Sequence, residues 1–471
     1  MQRMALFGFL LFILWLFAKE LKRRTPLSSS LWVVVIWLVI VGSRAVSTWF
    51  VIGRQVGGRA EAYDEGNPFE RWNYFILIAW GVVTLMRRGV RLGEVIKYNK
   101  WLSIFFIYWL ISVLWADLPI VAFKRWVKDL GNVVMVLVIL TERDPVEAAK
   151  AVFIRCGCLL IPLSVLFIKY YPELGRAYHA TTGEMMFTGV AAHKNTLGVL
   201  VMVCGLFLMW DFFESLPRRL RPLDWSGLIT DVLLLGMAVW LLFTSHSATS
   251  LACAFVGMAI FFGLKTQAMR TRINRLEAYA IVVGGLFWFL NSVFSLNQWV
   301  VQNLLGRDMT LTTRTEIWPV LLSQADSPIF GAGFNSFWSG QRLEVLLGKY
   351  NIIQAHNGYL ETYLNGGLIA VLLFVVLVFS ASRRIEKDIL AGGEGDFPVV
   401  RFMFLVIAII HNFTEASINK GGLIWFVLLL ALMQYPQAQT SHSVVESSPL
   451  PVDTGPASDD FVVESAPADN N

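Results

Sequence analysis

The chain has 471 residues, of which 56% are hydrophobic and only 15% charged, with a mean hydropathy of +0.59; a soluble domain carries about 25% charged residues. The apolar content is divided into runs of membrane-spanning length, about 20 residues each, and helices satisfy their own backbone groups where water cannot. The expected class is therefore an all-α polytopic membrane protein, and the net charge of +5 follows from basic loops at a membrane, with no nucleic acid needed as a partner.

Apolar runs predict helices near 4–18, 30–50, 73–86, 101–116, 130–141, 149–168, 196–213, 227–243, 249–264, 278–294, 358–380, 399–416 and 421–435, about 12–13 transmembrane helices. The first is followed by Lys19, Lys22, Arg23 and Arg24 and lacks a small-residue cleavage site, which suits an uncleaved helix rather than a signal peptide. The third and fifth are short enough to be tilted or to pair in a re-entrant feature. Cys156, Cys158, Cys204 and Cys253 all fall inside apolar runs without metal-finger or redox spacing, and read as buried small hydrophobes. The chain has no long-period repeat of the inverted-repeat transporter kind.

Lys and Arg are enriched in cytoplasmic loops. The odd-numbered loops hold 21 cations and the short even-numbered loops ten, which assigns the odd loops to the cytoplasm. On that assignment residues 1–294 carry the first ten spans, a large external loop runs over 295–357, and residues 358–435 carry the last three. A loop of that length without a disulfide is expected to fold back on the bundle and to be functional. Residues 436–471, rich in Ser, Pro, Asp and Glu, are expected to form a disordered cytoplasmic tail.

The most polar junction is Ala355-His356-Asn357-Gly358-Tyr359-Leu360-Glu361, where the long loop re-enters an apolar run. His356 supplies a titratable imidazole. Asn357 and Glu361 stand one helical turn apart on one face, and Asn365 extends the stripe. Polar groups in a membrane helix usually face protein or a water-filled cavity. Upstream, Arg314 offers a rigid fork of donors suited to phosphate oxygens, and Gly331 and Gly333 allow backbone to approach a ligand closely. Each also has a plainer explanation: Arg314 as the partner of Glu316 or another acid, His356 as an interfacial side chain packed on loop backbone.

Two further external segments carry charge. His193-Lys194-Asn195 sits where a loop becomes a helix, and a helix N-terminus favours anions; a lysine that snorkels to the interface is the alternative. Residues 121–128, with Lys124, Arg125 and Lys128, run against the positive-inside rule. They read equally as an amphipathic interfacial helix on anionic headgroups or as a lining for a lipid diphosphate. The chain has no P-loop, HExxH or GxSxG and no paired-cysteine metal site, and no clear Asp-x-Asp lies on the external face. No metal and no cofactor is expected.

Taken in order, SRAVSTWF at 43–50, EGNPFERWNYFILIAWGVVTLMRR at 65–88, GVAAHKNTLG at 189–198, SHSATSL at 245–251, TRTEIW at 313–318, SPIFGAGFNSFW at 327–338 and AHNGYLETYLNGGLIA at 355–370 resemble the bacterial O-antigen ligase and O-antigen polymerase superfamily. The resemblance spans most of the chain apart from the tail, and is nearer to the exopolysaccharide polymerase branch. It implies a GT-C-type glycosyltransferase of the inner membrane that acts at the periplasmic face, where there is no ATP, on an undecaprenyl-diphosphate-linked glycan. A polymerase transfers the growing chain to the next lipid-linked repeat; a ligase transfers the finished chain to a lipid A-core sugar. Further implied partners are membrane lipids, a chain-length regulator and export machinery.

By that resemblance Arg314 holds the diphosphate, and His356 is either the base for the acceptor hydroxyl or a hydrogen-bond partner of the donor. His193, Lys194, Arg125, Lys124, Asn357 and Glu361 are further candidates for holding diphosphate or glycan. A polymerase is the leading expectation, with a ligase as the alternative and a transporter of the same lipid-linked glycan as the non-enzyme alternative. A scaffolding role for the acidic tail is a third possibility.

Overall fold

The computed structural model describes residues 1–23, 27–50, 67–178, 183–220, 223–273, 314–350, 352–392 and 395–436, with the backbone alone at 23, 218 and 314–316. The helix expected at 278–294, the loop from 295 to 313 and the tail from 437 lie outside the described residues. The chain is all-α and multi-pass: among the described residues six helices are long and apolar enough to cross a membrane, and four shorter apolar helices accompany them.

In chain order the helices are α1 (Gln2–Arg23), α2 (Leu31–Gly42), α3 (Val46–Phe50), α4 (Pro68–Arg87), α5 (Leu92–Tyr98), α6 (Lys100–Ser112), α7 (Pro119–Leu140), α8 (Pro145–Tyr170) and α9 (Pro172–Gly175). A two-stranded antiparallel hairpin follows, β1 (Arg176–Tyr178) and β2 (Met185–Phe187), with Arg176 opposite Phe187. Then come α10 (Lys194–Leu220), α11 (Trp225–Thr244), α12 (Ala248–Gly263), α13 (Gln267–Arg270), α14 (Arg314–Ser323), α15 (Gly340–Tyr350), α16 (Gly358–Ala391), α17 (Phe397–Thr414) and α18 (Leu423–Leu432).

Two expected elements differ. The run 30–50 is not one helix but α2 and α3, parted at Ser43–Ala45, because the Arg44 guanidinium turns aside to the carbonyls of Ala191 and Gly189. The basic segment 121–128 is not a separate interfacial helix: it is the first half of α7, which runs unbroken to Leu140. Tertiary partners accommodate its charges, with Lys128 over the Tyr74 ring at 4.1 Å.

The packing order follows from which helices are apolar all round. All ten residues of α18 are buried, packed mainly by α17, α7, α10 and α16, and Phe153 of α8, stacked on Phe207 at 4.0 Å and 7°, meets Phe426 of α18 edge on. At its C-terminus α18 leaves carbonyls that no further turn can satisfy. Arg401 of α17 donates to the carbonyls of Ala431 and Met433, and Arg384 of α16 to that of Leu432. Cys156, Cys158, Cys204 and Cys253 are all buried free thiols.

Candidate functional site

Helix α16 is interrupted at Gly367, whose φ of +62° no helix allows. Such a break frees backbone groups that must be paired inside a membrane protein. The loop 327–333 pairs them: Ala332 and Gly333 N–H donate to the Leu364 and Asn365 carbonyls at 3.0 and 2.8 Å, and Leu368 N–H donates to Pro328 O at 2.9 Å. The Tyr108 hydroxyl donates to Gly366 O at 2.6 Å. Gly331 and Gly333, expected to admit a ligand, instead admit backbone: a Cβ on Gly331 would lie 2.4 Å from the Asn365 carbonyl carbon, and one on Gly333 2.8 Å from Ser112 O. The loop is thereby fixed on the first two turns of α16.

Those turns carry the polar stripe, and much of it points into the fold. The Asn357 side-chain oxygen caps α16, accepting from Tyr359 and Leu360 N–H, both at 3.0 Å. Glu361 is 2% exposed and accepts from Trp338 Nε1 at 2.7 Å and from Ala355 N–H at 3.0 Å, with Lys420 Nζ 3.4 Å away. Asn365 Oδ1 accepts from Phe337 N–H at 3.0 Å. Both backbone groups of Ala355 are thus held, its N–H by Glu361 and its carbonyl by Trp318 Nε1 at 3.0 Å. Asn357 is held in turn as the cap, so His356 must make the bend between them.

It does so with φ +51°, a conformation rare for a residue with a side chain. Residues in such conformations cluster at functional sites, and Asn335 (φ +47°) and Asn419 (φ +55°) share the conformation close by. The His356 side chain is 31% exposed, against 3% for Glu361. Its Nε2 lies 3.1 Å from Gln354 Nε2, and its Nδ1 lies 3.6 Å from Glu415 Oε2. With the Gln354 amide as donor, Nε2 accepts, so the neutral ring carries its proton on Nδ1, toward Glu415. At 3.6 Å the Glu415 carboxylate is close to Nδ1 but beyond hydrogen-bond distance.

Glu415 also accepts from Asn195 Nδ2 at 2.9 Å through its other oxygen. One carboxylate therefore ties the His193–Asn195 segment to His356. The segment is itself anchored by Arg44, which donates to Ala191 O at 3.0 Å, Thr188 Oγ1 and Gly189 O at 3.1 Å, and Leu174 O. His193 is exposed, with Nδ1 accepting from Asn195 N–H at 3.3 Å, and Lys194 opens α10 half-buried. Glu415, Asn419 and Lys420 all belong to the short turn between α17 and α18. Sequence reasoning passed over it, although the polar run Asn412 to Lys420 between two apolar helices was the available signal.

Arg125 is attached to this region from below, donating to Asn335 O at 2.6 Å and Ser339 Oγ at 2.9 Å, so it braces the 335–339 turn. Lys124, one residue earlier, is exposed. Arg314 starts α14, whose Trp318 reaches Ala355; its side chain lies outside what is described. No group of three or more His, Cys, Asp or Glu residues able to hold a metal occurs among the described residues. The assembly thus offers a partly exposed imidazole whose acceptor nitrogen is covered only by the Gln354 amide, with a carboxylate behind it that also holds the start of α10. That is the equipment for taking a proton from a hydroxyl near an anion.

Residues 232–375 match the family model described as O-antigen ligase. That stretch includes Arg314, His356, Asn357 and Glu361, and the match supports the likeness to the O-antigen ligase and polymerase superfamily. No curated protein and no solved structure matches the chain.

Proposed function

We propose that this chain is an inner-membrane glycosyltransferase that polymerises undecaprenyl-diphosphate-linked oligosaccharide repeats at the periplasmic face, with His356 as its base. The observation that carries the proposal is the Glu415 bridge, which joins His356 to Asn195 and so gathers the His-Lys-Asn segment and the loop exit into one site. The acceptor sugar hydroxyl replaces Gln354 at His356 Nε2 and gives up its proton there. Its oxygen attacks the anomeric carbon of the donor, the bond from that carbon to the diphosphate oxygen breaks, and the lipid diphosphate leaves as an anion. Arg314 and Lys194 hold the diphosphate, with His193 at the same helix start; Asn357, Glu361 and Arg125 act by holding the frame. An imidazole is suited to this at neutral pH, and stabilisation of the leaving anion by fixed cations supplies the rest without metal.

The match to an O-antigen ligase model favours one second reading, in which the same chemistry delivers a finished chain to a lipid A-core sugar. Deleting the gene separates the two. Single repeats without long chains indicate a polymerase; full-length polymer left on its lipid carrier indicates a ligase. Purified protein that lengthens no lipid-linked repeat in detergent but moves it across liposomes refutes both and leaves a transporter.

A further inference from the structure

A small cavity lies against the buried side of the site. Its walls include Trp109, Phe334, Asn335, Glu361, Asn419 and Lys420, and the free space inside is sufficient for about one water molecule. Two aromatic rings, Trp109 and Phe334, meet edge to face at 5.3 Å and 71° and form the apolar side. The other side is polar, with the Lys420–Glu361 pair at 3.4 Å and two asparagines linked through Asn335 Nδ2 donating to Asn419 O at 3.0 Å.

The walls are unusual in two respects. Asn335 and Asn419 both have left-handed backbones, a conformation uncommon outside glycine that asparagine tolerates better than most residues. In addition, Trp109 Nε1 and Asn419 Oδ1 are buried and have no hydrogen-bond partner in the protein. Trp109 is 2% and Asn419 6% exposed. Buried polar atoms are nearly always paired, and exceptions call for an explanation. One is a donor and the other an acceptor, and a hydroxyl has both a lone pair for the first and a hydrogen for the second.

We propose that this cavity is a glycan subsite, taking one hydroxyl group of a neutral sugar. The hydroxyl oxygen accepts from Trp109 Nε1 and its hydrogen is donated to Asn419 Oδ1. Lys420, on a long side chain that is 26% exposed, covers the mouth and moves with the incoming ring. In the absence of sugar a water takes the same two bonds. This inference rests on the glycosyltransferase reading, since Glu361 is common to the cavity and to the frame that holds His356.

The test is binding to the full chain in detergent, using two probes: bare undecaprenyl diphosphate, and the single-repeat lipid-linked oligosaccharide extracted from cells lacking this chain. Trp109→Phe keeps the ring and removes the N–H; Asn419→Gly removes the amide and tolerates the positive φ. Each variant is expected to bind the oligosaccharide about five-fold more weakly than the parent, the effect of one hydrogen bond, and the bare carrier equally well. Equal loss on both probes overturns the proposal, because the residues would then serve the carrier or the fold. No loss on either probe also overturns it, leaving a cavity that holds only water. Failure of the glycosyltransferase reading is seen separately, as absence of chain elongation by the parent protein whatever it binds.

Discussion

Replacing Glu361 by Gln removes the one acceptor pair that fixes the approach to His356. The carboxylate receives Trp338 Nε1 and Ala355 N–H on its two oxygens, at 2.7 and 3.0 Å. An amide can satisfy only one of these and presents an NH2 to the other, so one buried N–H is left without an acceptor. That costs about 1–3 kcal/mol. The same change removes the charge that pairs with Lys420 at 3.4 Å. The cost falls on local opening of the 352–357 segment rather than on the bundle, since the affected groups belong to that loop. At about 1.4 kcal/mol per tenfold, amide hydrogen exchange at Ala355 and His356 should quicken by about 5- to 150-fold. Mass spectrometry of peptic fragments reads this directly, with fragments from α8 as the unaffected reference. Unchanged exchange over 352–357 would refute the assignment of Glu361 as the residue that holds the loop exit.

Other substitutions test separate joints. Gly367→Ala would place a Cβ 2.1 Å from Ile329 O at a φ of +62°, so it should displace the 327–333 loop, cost more than about 1 kcal/mol and open that loop to trypsin; a protein as protease-resistant as the parent contradicts this. Asn357→Ala deletes an N-cap worth about 1 kcal/mol, and exchange at Tyr359 and Leu360 should rise about five-fold while Asn357→Asp stays near the parent. Arg125→Ala leaves Asn335 O and Ser339 Oγ without their donor and should loosen 335–339, seen as faster exchange there; weakened binding of bare undecaprenyl diphosphate with no change in exchange would instead make Arg125 a phosphate ligand.

Much of the bundle was legible because lipid imposes one rule on sequence, long apolar runs, and α8, α10, α16 and α17 obey it. The junction at His356 was legible for the converse reason, as polar residues where that rule lapses. What could not be read were pairings made across sequence. Glu415 lies 59 residues from His356 and 220 from Asn195, and no local pattern marks it as their common partner. The break between α2 and α3 depends on carbonyls about 130–147 residues away from Arg44. Lys124, Arg125 and Lys128 imitate a surface helix because charge in a membrane protein usually marks an interface; only the docked 335–339 turn and the Tyr74 ring reveal α7 as continuous. Gly331 and Gly333 signalled close backbone approach correctly, but a glycine does not say whether ligand or helix will come near.

The proposed transfer depends on His356 acting on a hydroxyl beside a lipid-linked donor. Purified protein in detergent, supplied with single lipid-linked repeats and sampled by gel for chain length, measures this directly. The parent should build a ladder of repeats, and His356→Ala, folded and extracted in equal amount, should leave single repeats only. Equal ladders from the two proteins would contradict the assignment of His356 as the base.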